Sequence, residues 1–248
     1  SSGLQYMEKA VTIKPSYSWH LKIAEISDQY RYYPIAIRHY KACLKYKTTP
    51  ILYQKLAMVL EENGKFAQAS KYRSKSVAME LPLIRQLKFK KPVQIGIKTK
   101  EELKEFLIKE LDKEISEEKA KEIEATLRIF GLAPPNLDIR DLFLRLLTEQ
   151  VAGFYHPDTK KLYLMEEVQK PGFWERVFQM RRDDSEERMV MAHEMTHALQ
   201  DQYFDLSSLE KKVEDNDDRS LAFQALVEGD ATLTMLDYHL KPMKLSAK

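Results

Sequence analysis

Ala192-His193-Glu194-Met195-Thr196-His197-Ala198-Leu199-Gln200-Asp201 is the stretch from which the rest of this 248-residue chain is best read. Two histidines four residues apart on an α-helix are separated by about 40° in azimuth and roughly 6 Å along the axis, so both imidazoles can reach one metal ion. Glu194, one position after the first histidine, lies beside that face and can hold a water next to the metal, where a general base is needed. The flanks favour a helix. Asp184 and Glu187 have the spacing of a capping box, and Met189, Val190, Ala192, Met195, Thr196, Ala198 and Leu199 surround the histidines with apolar or small side chains. The pattern predicts a helix from about Asp184 to Tyr203 that carries two ligands for a zinc ion and one base.

A catalytic zinc takes three protein ligands and leaves one position open. Downstream, Ser220 to Leu233 reads as a second helix, with Leu221, Ala225, Leu226, Leu233 and Leu236 near helical spacing. Glu228 stands inside this apolar run, where a carboxylate is costly unless paired or metal-bound. It is the expected third ligand, with Asp230, Asp201 and His239 as competitors. Gly229 weakens the helix and is expected to allow a close helix approach.

These residues resemble the gluzincin-type zincin metallopeptidases, in which two histidines of the H-E-x-x-H motif and a glutamate from a later helix bind zinc. The resemblance covers the last third to half of the chain. It implies an α+β metallopeptidase domain with one Zn2+ held by His193, His197 and Glu228, Glu194 as base, and Asp201 orienting a ligand from behind, with Asp230 a further candidate for that supporting role.

Two short β-prone runs, Val151 to His156 and Lys161-Leu162-Tyr163-Leu164-Met165, are joined by Pro157-Asp158-Thr159-Lys160, which is good turn chemistry for a hairpin. The second run, Leu162 to Met165, is expected to form the rim that holds an extended substrate by main-chain hydrogen bonds. Tyr155 and His156 on the hairpin, and Tyr238 and His239 after the ligand helix, are candidate donors to an oxyanion.

The front of the chain repeats itself. Ile23-Ala24 matches Leu56-Ala57, Tyr33 matches Phe66 and Ala36 matches Ala69, each pair 33 residues apart, and Ala10, Cys43 and Ser76 continue the register as small residues. A helical hairpin recurring at about 34 residues, with small residues where helices cross, is the tetratricopeptide (TPR) pattern. Two repeats are expected at about Ser16–Thr48 and Thr49–Leu81. Tyr6 to Pro15 resembles the closing helix of a preceding one, so the chain is expected to begin inside a longer array, with Ser1-Ser2-Gly3 as a cloning remnant. A plain helical bundle is the alternative.

Lys88 to Val93 is polar and contains a proline, which divides the chain into a TPR-like helical solenoid, residues 1–92, and a zincin-like domain, residues 93–248. Within the latter, Thr99-Lys100-Glu101-Glu102 forms a capping box, Ser116 opens the next helix, Gly131 and Pro134-Pro135 end it, and Asp138 to about Gln150 is a third helix. The fold class expected is mainly α with a small β-sheet.

An apolar fraction of 44% beside 31% charged residues is that of a globular protein. No stretch is long and apolar enough to span a membrane. The net charge of +2 hides an asymmetry: residues 1–97 carry 17 Lys and Arg against 6 Asp and Glu, the remainder 23 against 32. The front therefore favours acidic partners and the back favours cations and basic substrates. No groove-reading or stacking motif accompanies the basic charge, so nucleic acid is not an expected partner. Cys43 stands alone, which excludes an intrachain disulfide and leaves the compartment unassigned. The function expected is zinc-dependent peptide hydrolysis, with the repeats binding a protein partner or presenting substrate. The alternative is an interaction scaffold whose zincin-like domain is inactive or holds a structural metal.

Overall fold

The computed structural model describes residues 2–150, 153–165, 185–243 and 245–246. Over these the protein is mainly helical with one three-stranded sheet. The front consists of α1 (Ser2–Ile13), α2 (Tyr17–Gln29), α3 (Tyr33–Cys43), α4 (Pro50–Glu62) and α5 (Phe66–Arg85), each packed on the next.

The helices α2 and α4 begin and end alike. Ser16 and Thr49 sit in extended backbone and accept the N–H groups of Trp19 and Leu52, the side-chain caps that a helix start requires. At the other end the N–H of Tyr32 reaches the carbonyl of Ser27 and that of Arg31 reaches Asp28, while Lys65 and Gly64 repeat this on Leu60 and Glu61. The pivots are Arg31, at φ 60°, and Gly64, at φ 72°, the left-handed residues of a Schellman ending. Burial keeps the same register: Ile23 and Leu56, Ala24 and Ala57, Ala36 and Ala69, Cys43 and Ser76 are all buried.

The expected boundary falls in coil, but the packing does not divide there. Val77 and Leu81 of α5 belong to one apolar cluster with Tyr155, Leu162, Met195, Leu199 and Tyr238. The last turns of α5 are thus core to the back half. Ion pairs reinforce the junction: Arg73 meets Glu187 at 2.6 Å, Arg85 meets Asp230 at 2.8 Å and Arg188 meets Glu80 at 3.4 Å. Two of the three join a base of the front to an acid of the back, so part of the charge asymmetry is satisfied within the fold.

Beyond the coil come β1 (Gln94–Lys98), α6 (Lys100–Glu114), α7 (Glu117–Ile129), α8 (Ile139–Gln150), β2 (Gly153–His156) and β3 (Lys161–Met165). The Thr99 capping box forms both of its bonds with Glu102, Ser116 caps α7, and Gly131 at φ 67° turns the chain after it. The sheet order is β1-β3-β2, with β1 parallel and β2 antiparallel to β3. This corrects the expected substrate rim: Leu162, Tyr163, Leu164 and Met165 form the central strand, paired on both sides, and have no free edge to offer a peptide. The missed element is β1. Its Gly96 lies opposite Tyr163, where an added Cβ would come within 2.6 Å of the ring.

One face of the sheet carries Phe154 and Tyr163 against Phe106 of α6, and the other carries Tyr155, Leu162 and Leu164. Against that second face packs α9 (Ser185–Phe204), followed by the short α10 (Leu206–Glu210) and by α11 (Asp217–Leu240), which lies along α9. Asp184, expected to cap the motif helix, and Val151 and Ala152 of the first hairpin run lie outside the described residues.

Candidate metal centre

Helix α9 presents His193 and His197 one turn apart, and α11 brings Glu228 to them. His193 Nε2 lies 3.0 Å from His197 Nε2 and 3.1 Å from Glu228 Oε2, and His197 Nε2 lies 3.5 Å from Glu228 Oε1. Ligands on a tetrahedral zinc with bonds of about 2.0–2.1 Å sit about 3.3 Å apart, so two imidazoles and a carboxylate at these separations suit zinc in both donor type and spacing. The histidines are largely covered, whereas the Glu228 side chain is 60% exposed. Its neighbours Leu221 and Leu226 are also exposed. The expectation of a carboxylate trapped in an apolar run is therefore corrected. Glu228 faces the histidines because α11 packs along α9 there, not because burial forces a partner on it. Nothing lies within 4 Å of a Cβ placed on Gly229, so no close helix approach calls for that glycine.

Hydrogen bonds from His193 and His197 hold the Glu228 carboxyl well below the usual carboxylate range. Burial by itself would lower His197; its hydrogen bond to Glu228 and the charges of Glu194 and Glu228 outweigh it and raise the imidazole. Glu194 moves the other way from Glu228. Burial pushes its carboxyl up against the opposing effect of the Tyr155 N–H, which donates to Oε2 at 2.8 Å, and a raised carboxyl is what a base working near neutral pH needs. Strand β2 pairs with β3 on one side and lies at the sheet edge, and Tyr155 directs its N–H toward α9. A cavity lined by Ser70, Arg73, Gly153, Leu162 and Glu187 opens beside Glu194, which also lines it.

The support behind His197 comes from an unexpected residue. Its Nδ1 faces Gln200 Oε1 at 3.0 Å. The amide orientation is dictated from the far side, where Gln200 Nε2 donates to the Val227 carbonyl at 3.0 Å and to Asp230 Oδ2 at 2.9 Å, both pure acceptors. With its oxygen turned to the imidazole, Gln200 requires a proton on Nδ1, so Nε2, the nitrogen that faces Glu228 and His193, is the one that can give up its proton to ligate a metal. Asp201, expected in this role, is corrected to another. It accepts the Tyr155 hydroxyl at 2.6 Å, Lys160 Nζ at 2.8 Å and the Leu206 N–H at 2.9 Å, tying the hairpin to the end of α9. Asp230 does reach the histidine, at one remove through Gln200.

The expected oxyanion donors are committed elsewhere. The Tyr155 hydroxyl is spent on Asp201, and burial together with that carboxylate raises its pKa. The Tyr238 hydroxyl donates to Glu80 at 2.7 Å and accepts from Arg188 at 2.6 Å. His156 sits on the opposite sheet face against Phe106, and His239, in the last turn of α11, lies outside the donor cluster. Glu110, His156 and Asp158 form a second group with donor atoms within 4.8 Å of one another. There His156 Nδ1 accepts the Thr159 N–H at 3.3 Å, which puts the proton of the neutral ring on Nε2, facing Glu110 at 3.4 Å. That tautomer suits a hydrogen bond and not a metal.

Sequence reading missed Gln200 and Arg85. Gln200 had a usable signal, since a residue three positions after His197 lies on the same helix face; the ionised Asp201 was simply the more obvious acceptor. Arg85, far off in the chain, had none. No family model, no curated protein and no solved structure matches this chain.

Proposed function

We propose that the protein is a zinc-dependent metallopeptidase, with its first helices forming a TPR-like array that binds a protein partner or presents substrate. The observation that carries the reading is the convergence of His193 Nε2, His197 Nε2 and a Glu228 carboxylate oxygen within 4.8 Å, with Glu194 next to it on the same helix and held by the Tyr155 N–H. The 33-residue register of caps, turns and buried small residues supports the repeat assignment.

His193 and His197, through Nε2, and Glu228, through its carboxylate, would hold the metal. When bound, zinc supplies Lewis acidity toward a carbonyl and makes water acidic enough to react near neutral pH. Glu194 would take a proton from the attacking water and return it to the leaving amine. The Tyr155 N–H occupies Oε2 and fixes the carboxylate rotamer; among the described residues no hydrogen bond reaches Oε1, the oxygen available for proton transfer. The acidic balance of the back half favours metal cations and basic peptide segments.

The test is zinc quantification on purified protein by plasma mass spectrometry, together with cleavage of unfolded casein. Wild type is expected to carry one equivalent of zinc, and His193→Ala and Glu228→Ala much less. Equal, substoichiometric zinc in all three would overturn the reading.

A further inference from the structure

We infer that Arg85, on the last helix of the repeat-like front, is a positioning residue for the metal centre, acting through Asp230 and Gln200 on His197. This rests on the metal-site reading proposed above and extends it across the junction between the halves. The chain of contacts is continuous: Arg85 Nη2 to Asp230 Oδ2 at 2.8 Å, Asp230 Oδ2 to Gln200 Nε2 at 2.9 Å, and Gln200 Oε1 to His197 Nδ1 at 3.0 Å.

The key link is an amide that has two orientations. A glutamine side chain is nearly symmetric in shape, and only its partners decide which end faces the imidazole. With Oε1 toward His197, Nδ1 bears the proton and Nε2 is free to ligate. Turned over, the NH2 would meet Nδ1, drive the proton to Nε2 and close that nitrogen to a metal. Two acceptors hold the productive orientation, the Val227 carbonyl and Asp230 Oδ2. The first adjoins Glu228 in the chain, so Gln200 also braces the turn of α11 that carries the third ligand. The second is a carboxylate whose rotamer is fixed by Arg85. Helix α5 is bound into the back half by Val77, Leu81 and the pairs of Arg73 and Glu80. The guanidinium is therefore delivered by a rigid element, and its presence at Asp230 depends on α5 being docked. Metal affinity is in this way coupled to the helix that ends the front array.

The experiment uses the full chain and measures zinc dissociation constants by competition with a chromophoric chelator. Arg85→Met and Asp230→Asn are expected to weaken zinc binding by about 10- to 100-fold, the range for residues that orient a ligand from behind. Arg85→Lys, which keeps a cation, is expected to recover at least part of the loss. The double variant should bind no more weakly than the worse single one, because both act on one link. In the metal-free protein, long-range 1H–15N NMR is expected to show His197 Nδ1 bearing a proton in wild type and losing part of it in Arg85→Met. Wild-type zinc affinity in Arg85→Met and Asp230→Asn, with His193→Ala deficient, would overturn this inference and leave the metal site standing. No zinc bound by wild type would overturn both. If Arg85→Met does not fold, Arg85→Lys against Asp230→Asn decides alone: unchanged affinity in Asp230→Asn sinks the relay.

Discussion

The peptide N–H of Tyr155 donates to Glu194 Oε2 at 2.8 Å, so the sheet edge and the motif helix meet at the one side chain proposed to move protons. The bond comes from the strand backbone and not from a side chain. It depends on β2 pairing with β3 in its observed register, in which Tyr155 lies opposite Leu162 and its N–H goes to α9. A one-residue slip would turn that N–H inward and take the support from Glu194.

Glu194→Gln separates this structural bond from the chemistry. The amide oxygen of glutamine still accepts the Tyr155 N–H, but the side chain no longer takes a proton. Casein cleavage is expected to fall by about 10²–10⁴-fold, the usual worth of a general base, with zinc content and melting temperature near wild type. Undiminished cleavage would remove Glu194 from the mechanism.

Asp201→Ala tests the reassignment of that carboxylate. Its side chain is 1% exposed and leaves the Tyr155 hydroxyl and the Leu206 N–H without an acceptor when removed. A cost of about 2–4 kcal/mol is expected, on the scale of losing hydrogen bonds to a buried charge. Urea unfolding reads that loss. Folded variant should keep full zinc occupancy, whereas a ligand-orienting role would show as lost zinc at unchanged stability.

The contrast between Asp201 and Gln200 marks where sequence reading stops. The histidine pair was legible because helical geometry alone brings residues four apart to one face, and the helix starts at Thr99 and Ser116 were legible because their caps are local. The reason for expecting Glu228 beside the histidines does not hold: it is exposed, and its nearness to them comes from the packing of α11 on α9. The central position of β3 was illegible because its second neighbour, β1, lies more than sixty residues earlier in the chain and is only five residues long. Arg85 and Asp230 form a pair separated by 145 residues, and no period or motif connects them.

Arg31 and Gly64 fill equivalent left-handed turns, which makes a paired test of the repeat geometry. A non-glycine residue in that region costs about 1–2 kcal/mol, and glycine recovers most of it less its own unfolded-state entropy. Arg31→Gly is expected to stabilise by roughly 0.5–1 kcal/mol and Gly64→Ala to destabilise by about as much. Chemical denaturation of both variants checks the signs. A destabilising Arg31→Gly beside a destabilising Gly64→Ala would mean that the two turns are not equivalent.

Gly96→Ala probes the packing that seats the sheet. A Cβ there would lie 2.6 Å from Tyr163 Cδ1 and 2.7 Å from Cε1, and that ring is held by Phe106 and Phe154 at centroid distances of 5.3 Å. Displacing it costs about 1–3 kcal/mol, the range for overpacking. The variant should melt earlier, and Gly96→Ala with Tyr163→Leu should regain part of the loss. A melting temperature equal to wild type in the single variant would show that the ring yields freely.

Cys43 gives a probe of the front core that needs no substitution. It is fully buried, and its thiol is pushed up to about 11 by burial and by the charge of Glu25. The thiolate is the reactive form, so a disulfide reagent at pH 8 should label native protein far more slowly than denatured protein. The sign for stability follows from proton binding: the folded state keeps this proton more tightly than the unfolded state. The associated stabilisation is fully present below the unfolded thiol pKa of about 8.5 and is lost as pH rises through about 11. Denaturation midpoints between pH 8 and 11 should therefore fall less steeply in Cys43→Ala than in wild type, once each is compared with its own value at pH 8. Rapid labelling of the native protein at pH 8 would show that the α2–α3 packing opens readily around Cys43.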